Sequence, residues 1–185
     1  EGNRVFAVRL SIEKDPAAHA TLLLRSFFRQ FAPDCTPYEY YHLLRGTLSC
    51  DDLFAAYPQQ AAAARNEARL AELGVVPADQ VDEWIVNACG SDRAWVLIGG
   101  PPCQAYSVVG RSRNKGIRGY ALENDHRHRL YEEYLRIIAK HWPPLFVMEN
   151  VQGLLSSEVN KERLFERIVR DLRDETCPIC GKGWE

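Results

Sequence analysis

The first group able to do chemistry is a thiol. Gly99-Gly100-Pro101-Pro102-Cys103-Gln104 is a rigid turn that lifts Cys103 off the tip of an apolar run, with Ser107 and Gly110 close behind. A lone cysteine beside a proline turn is more often structural, since free cysteine is among the most buried residue types. Here, however, residues 104–119 carry Arg111, Arg113, Lys115 and Arg118 among Gly110, Gly116 and Gly119. Polar and cationic surroundings favour the thiolate, which is the reactive form. The same cations suit contact with phosphate. The second group is Glu149, delivered with Asn150 at the end of the apolar run Phe146-Val147-Met148. Alone, such a carboxylate reads as a solvated strand terminus; beside Cys103 it becomes a candidate for the same site. A third acid, Glu13, closes another apolar run. Finally, Cys177-Pro178-Ile179-Cys180-Gly181 is a C-x-x-C turn suited to a zinc knuckle. Four ligands are needed and Cys35 and Cys50 lack paired spacing, so the other two would lie beyond Glu185.

These groups need elements to hold them. Val5 to Ile12 reads as a buried strand with an acidic edge at Glu13-Lys14-Asp15, followed by Pro16. From Ala17 to Phe31, Leu23, Phe27, Phe28 and Phe31 recur at helical spacing. Pro33 and Pro37 mark a loop, and Gln59 to Leu73 is Ala-rich with alternating charges, the pattern of an exposed helix ending at Gly74. No strand is assigned between 32 and 80. Ala94 to Ile98 is a second buried strand, stopped by Gly99-Gly100. Leu130, Tyr134, Leu135, Ile138 and Trp142 define an amphipathic helix that Pro143-Pro144 terminates. Leu145 to Met148 is a third strand, and Leu164, Ile168, Val169 and Leu172 mark a last helix. Strands alternating with long helices predict an α/β chain with a parallel sheet. Ligands of such sheets bind beyond the carboxyl ends of the strands, which is where Glu13, Cys103 and Glu149 fall.

Bulk properties limit the partners. With 185 residues, 46% of them hydrophobic, the chain can bury one substantial core and is short for two full domains. Lys and Arg total 23 against 25 for Asp and Glu, and the net charge of −2 offers no global attraction to a polyanion. Nucleic-acid contact must therefore come from a local patch, which residues 111–118 supply. Of the six cysteines only Cys177 and Cys180 are closely spaced, unlike a disulfide framework, so a reducing cytoplasm is expected. No apolar run approaches the roughly 20 residues needed to span a bilayer, and the start of the chain has no signal-peptide core.

Together, the segments around Cys103 and Glu149 resemble the Pro-Cys-Gln and Glu-Asn-Val signatures of the DNA cytosine-5 methyltransferases. Asp125-His126-Arg127 followed by Leu130 resembles the family's Asp-x-Arg motif, and the three stand in the family's order at family-like separations. The resemblance covers most of residues 5–175. It implies a Rossmann-like, S-adenosylmethionine-dependent methyltransferase fold that acts on double-stranded DNA. Cys103 would be the nucleophile that attacks carbon-6 of cytosine, turning the ring into an enamine able to accept a methyl group at carbon-5. Glu149 would protonate or hydrogen-bond ring nitrogen 3. The base would be flipped out of the duplex, with Gln104, Ser107, Arg111, Arg113, Lys115 and Arg118 contacting DNA. Glu13 would accept hydrogen bonds from the cofactor's ribose hydroxyls, and Pro102 and Leu130 would pack near the methyl donor.

The resemblance also has gaps. The family's glycine-rich first motif would fall just before Glu1, and the later arginine motif, the target-recognition region and the closing helix are not found. The expectation is therefore a partial catalytic domain over residues 1–176, with 177–185 starting a zinc knuckle or an inserted segment. The adenine-contacting residue is not assigned; Asp82 has a fitting sequence distance from Cys103, but the residues after it look helical and the longer segment before it has no obvious counterpart in the family. A bacterial cytoplasm close to the nucleoid and a restriction endonuclease as functional partner complete the family's picture. Two other readings stay open: an RNA cytosine-5 methyltransferase, since nothing in the motifs reads a 2′-hydroxyl, and a non-catalytic module that keeps the fold.

Overall fold

Asp15 and Pro16 set the first boundary between strand and helix. Strand β1 covers Ser11–Glu13 and helix α1 covers Pro16–Arg29. The Asp15 carboxylate accepts the N–H groups of Ala17 and Ala18 at 2.9 and 2.8 Å, satisfying two of the donors that a helix start leaves open. Pro16 brings a φ already suited to the first helical turn. The structure is a computed structural model that describes residues 6–90, 94–100, 129–149, 158–159 and 162–174. It divides into two compact units, Glu1–Gly90 and Ser91–Glu185.

In the first unit the stretch after α1 folds into helices α2 (Tyr38–Leu44), α3 (Cys50–Ala56) and α4 (Pro58–Glu67). Their core is built on Phe27 and Leu53, both fully buried, with Phe54, Ala61 and Ala64. The Phe27 ring meets Phe31 and Phe54 at centroid distances of 5.2 and 5.0 Å, separations at which aromatic pairs attract beyond their buried area. The Ala-rich segment is thus not an exposed helix running to Gly74. Its inner face is buried through Ala61, Ala64 and Glu67, and the Glu67 carboxylate pairs with Arg29. Alanine lets two helices approach closely without the large apolar residues that would have marked the face.

Residues Ala68–Leu70 then form a strand, β2, parallel to β1, with Ser11 opposite Ala68, Ile12 opposite Arg69 and Glu13 opposite Leu70. The Arg69 guanidinium lies over the Trp84 ring at 5.3 Å, tying β2 to helix α5 (Ala78–Cys89). Because β2 offers only three partners, β1 is short as well. The expected strand from Val5 to Ile12 is corrected to Ser11–Glu13, and Phe6, at 80% exposure, lies outside it.

The second unit contains β3 (Val96–Gly99) and β4 (Leu145–Met148), a parallel pair in which Leu97 faces Phe146 and Gly99 faces Met148. Between them in sequence runs helix α6 (Arg129–His141), whose Tyr134, Leu135, Ile137 and Ile138 are buried. Pro143-Pro144 stops it, since proline lacks the N–H and clashes with the preceding turn. A short antiparallel pair, β5 (Glu158–Val159) with β6 (Glu162–Arg163), leads into α7 (Leu164–Asp174). Both longer strand pairs are parallel with helices in the connections, so the described structure is mixed α/β. No helix among the described residues is long and apolar enough to cross a membrane.

Candidate active site

The end of the β3–β4 pair places Glu149. The Glu149 N–H donates to the Gly99 carbonyl at 2.8 Å, which extends the ladder one residue beyond β4 and carries Glu149 to the rim of the pair. Its side chain is exposed there. Gly100 lies flat against it: a Cβ built on Gly100 would overlap the Glu149 carbonyl oxygen and stand 3.0 Å from its carbonyl carbon and 3.3 Å from its nitrogen. Only glycine permits backbones this close. Gly100, three positions before Cys103 in sequence, is therefore in van der Waals contact with the backbone of Glu149.

Beneath these strand ends lies Tyr134 of α6, only 6% exposed. Its hydroxyl donates to the Val147 carbonyl at 2.9 Å, with the Leu97 carbonyl at 3.5 Å. Its ring meets Phe146 edge to face, centroids 6.4 Å apart, and fills the space left by the missing side chain of Gly99, where a Cβ would stand 3.4 Å from the ring. Burial first, and the neighbouring Glu149 charge second, push the Tyr134 hydroxyl up to about 12. Tyr134 thus remains a neutral donor at any working pH. In the sequence Tyr134 marks only the apolar stripe of a helix; its hydroxyl acquires a partner through the fold.

In the first unit, Glu13 ends β1 with its carboxylate already oriented. One oxygen accepts the Asp15 N–H at 2.8 Å, and the Glu13 carbonyl accepts the Ala71 N–H at 3.0 Å. An ionised carboxylate has about four acceptor positions, so this single bond fixes the group while leaving capacity for a donor such as a hydroxyl. Beside it, Lys14 pairs with Glu72 at 3.1 Å, so the ends of β1 and β2 form a small charged edge. Glu72 was not singled out from the sequence, because its importance depends on β2, a strand too short to show a period. Asp82 is 7% exposed within α5 and does not stand at a strand end.

Leu130 is half-buried in the first turn of α6. Cys103, Pro102, Gln104, Ser107, Arg111, Arg113, Lys115, Arg118, Cys177 and Cys180 lie outside the described residues. Of the candidate site residues, then, Glu149 and Leu130 are placed in the second unit and Glu13 in the first. Among the described residues, Cys35 and Cys50 are free thiols, and no three His, Cys, Asp or Glu side chains gather as a metal would require.

Comparison with known proteins bears on the same segment. Residues 87–176 match the family model described as C-5 cytosine-specific DNA methylase. The chain is 44% identical over 85 residues to the type II methyltransferase M.Bpa9945I of Bacillus paralicheniformis, a stretch covering 44% of this chain and 18% of that protein. It is 37% identical over 101 residues to the DNA (cytosine-5-)-methyltransferase M.ApeKI of Aeropyrum pernix, covering 55% of this chain and 20% of the relative. A third relative, the type II methyltransferase M1.HphI of Haemophilus parahaemolyticus, is 37% identical over 78 residues, covering 40% and 19%. The matched segment thus spans about a fifth of each of these relatives. No solved structure matches the chain.

Proposed function

Because residues 87–176 match the family model of the C-5 cytosine-specific DNA methylases, we propose that the protein carrying this chain transfers a methyl group from S-adenosylmethionine to carbon-5 of cytosine in double-stranded DNA. The observation that carries the reading is the contact between Gly100 and the Glu149 backbone. Cys103 follows Gly100 by three positions, so the chain cannot take its backbone farther than about 11 Å from Gly100. That reach supports reading Cys103 and Glu149, 46 positions apart in sequence, as a nucleophile and an acid of one site beyond the carboxyl ends of parallel strands, where α/β folds bind ligands.

In this proposal the Cys103 thiolate forms a bond to carbon-6 of the flipped cytosine, and the ring electrons shift toward carbon-5. Glu149 donates a proton or hydrogen bond to ring nitrogen 3, where negative charge would otherwise build. S-adenosylmethionine supplies an electrophilic methyl group when bound. Loss of the carbon-5 proton and departure of the thiolate then restore the aromatic ring. Glu13 fits the ribose end of that cofactor, since its pinned carboxylate retains acceptor capacity for a diol, and Pro102 and Leu130 would supply apolar contact near the methyl group. Gln104, Ser107, Arg111, Arg113, Lys115 and Arg118 would hold the DNA. The type II naming of the relatives extends the proposal to a restriction endonuclease as functional counterpart. The fold is read as Rossmann-like, with α6 as the crossover between two strands of its parallel sheet.

The test is trapping. Fluorine at carbon-5 cannot leave as a cation, so the full-length protein should form a stable adduct with 5-fluorocytosine duplex DNA in the presence of S-adenosylmethionine, and Cys103→Ala should abolish it. An unchanged yield in the variant refutes the assignment. Trapping on tRNA and not on duplex DNA would transfer the same chemistry to RNA.

A further inference from the structure

The Tyr134 hydroxyl needs an explanation that packing does not give. A phenylalanine would fill the same space against Gly99 and Phe146, whereas a buried hydroxyl costs desolvation unless it is hydrogen-bonded. Tyr134 has a single proton to donate. It donates to Val147, two residues before Glu149, while the Leu97 carbonyl of the facing strand stands 3.5 Å away. The hydroxyl therefore lies under the place where both strands end, with its carbonyl partners two residues before Glu149 and Gly99, whose N–H and carbonyl form the last bond of the ladder. Above that bond, Gly100 leaves the Glu149 carbonyl no space to move toward β3. Glu149 is thus held on one side by the Gly100 backbone and from below by α6, while its side chain remains exposed.

We infer that Tyr134 is a positioning residue for Glu149, its hydroxyl anchoring the last residues of β4 so that the carboxyl group meets the base at a fixed height above Gly99-Gly100. The inference rests on the catalytic role proposed for Glu149. Tyr134 itself takes no part in proton transfer, because its hydroxyl is buried under the strands and is held neutral by its surroundings. Its effect on the reaction must pass through Glu149, and that gives the role a signature that simple packing lacks. When the group being positioned has already lost its function, the positioning residue has nothing left to contribute.

The experiment is a double-mutant cycle in the full-length protein, with Tyr134→Phe, Glu149→Gln and both together, measured by steady-state methylation of duplex DNA. Tyr134→Phe should lower kcat about tenfold, with KM for DNA and for S-adenosylmethionine within about twofold of wild type, as expected when an interaction serves the transition state alone. In the Glu149→Gln background the same substitution should cost less than about twofold. An equal loss in both backgrounds would overturn the inference and assign the hydroxyl to general structure, as would unfolding of Tyr134→Phe at the assay temperature or an undiminished kcat. Near-normal turnover of Glu149→Gln with Tyr134 intact would instead refute the catalytic reading. A slow Glu149→Gln beside a fully active Tyr134→Phe would refute the positioning role alone.

Discussion

Replacing Gly100 by alanine adds a single methyl group, and the structure indicates where it must go. The new carbon overlaps the Glu149 carbonyl oxygen and stands 3.0 and 3.3 Å from the carbonyl carbon and nitrogen of the same residue. All three are backbone atoms, so no side chain can swing aside, and the end of β3 must separate from Glu149. Overpacking of this kind costs about 1–3 kcal/mol. The 2.8 Å bond from the Glu149 N–H to Gly99 lies in the path of the shift, and its loss adds about 1 kcal/mol. The second unit should therefore lose about 2–4 kcal/mol. Methylation should fall further than stability, because a displacement of about 1 Å at a reacting group can cost on the order of 10²-fold in rate. Gly99→Ala is the matched control: among the described residues its Cβ would meet only the Tyr134 ring, at 3.4 and 3.9 Å, so its stability should stay within about 1 kcal/mol of wild type. Urea denaturation with single-turnover methylation of both variants measures the two quantities. If Gly100→Ala unfolds and turns over like wild type, or if Gly99→Ala is the more damaged variant, the close approach of the strand ends does not govern the site.

Two further outcomes follow from the same chemistry. Replacing Arg111, Arg113, Lys115 and Arg118 together by alanine should weaken DNA binding and reduce the slope of log K against log salt by as much as about 0.9 per lost phosphate contact; an unchanged slope in a titration over salt would assign those cations no phosphate. Tyr134 should make the fold alkali-sensitive. Its hydroxyl is raised from 10.0 to about 12 in the folded state, so its neutral form favours folding fully below pH 10, and that contribution is lost as the pH rises through about 12. The loss is about 3 kcal/mol at most, at about 1.4 kcal/mol per pKa unit. Tyr134→Phe should remove that component from stability curves taken between pH 9 and 12, and an identical decline in the variant would place the alkaline transition elsewhere.

Local pattern was sufficient wherever an element carried large residues in a clear period or run. β4 is legible because Leu145–Met148 is an unbroken apolar run between Pro144 and Glu149, and α6 because Leu130, Tyr134, Leu135 and Ile138 repeat at helical spacing up to a proline stop. The candidate chemistry was legible for the same reason: strand ends can be read from where apolar runs stop, and Glu13 and Glu149 stand at two of them. β2 could not be read this way. Ala68-Arg69-Leu70 has no run and no period, and it is a strand only because β1 offers it a ladder from 55 or more residues away. Likewise the inner face of α4 is defined by alanines whose burial depends on Phe27 and Leu53. The residues from Phe6 to Leu10 satisfy an apolar pattern yet pair with no strand among the described residues, and hydrogen-bond pairing rather than hydropathy decides what becomes a strand. The same holds at the site. Nothing in the order of residues states that Gly99 will face Met148, and that single register brings Gly100 against Glu149 and puts the Tyr134 hydroxyl under Val147. Which groups can react is a property of residue type and spacing, but how they are held depends on backbone contacts between segments far apart in the chain, and only folding brings those together.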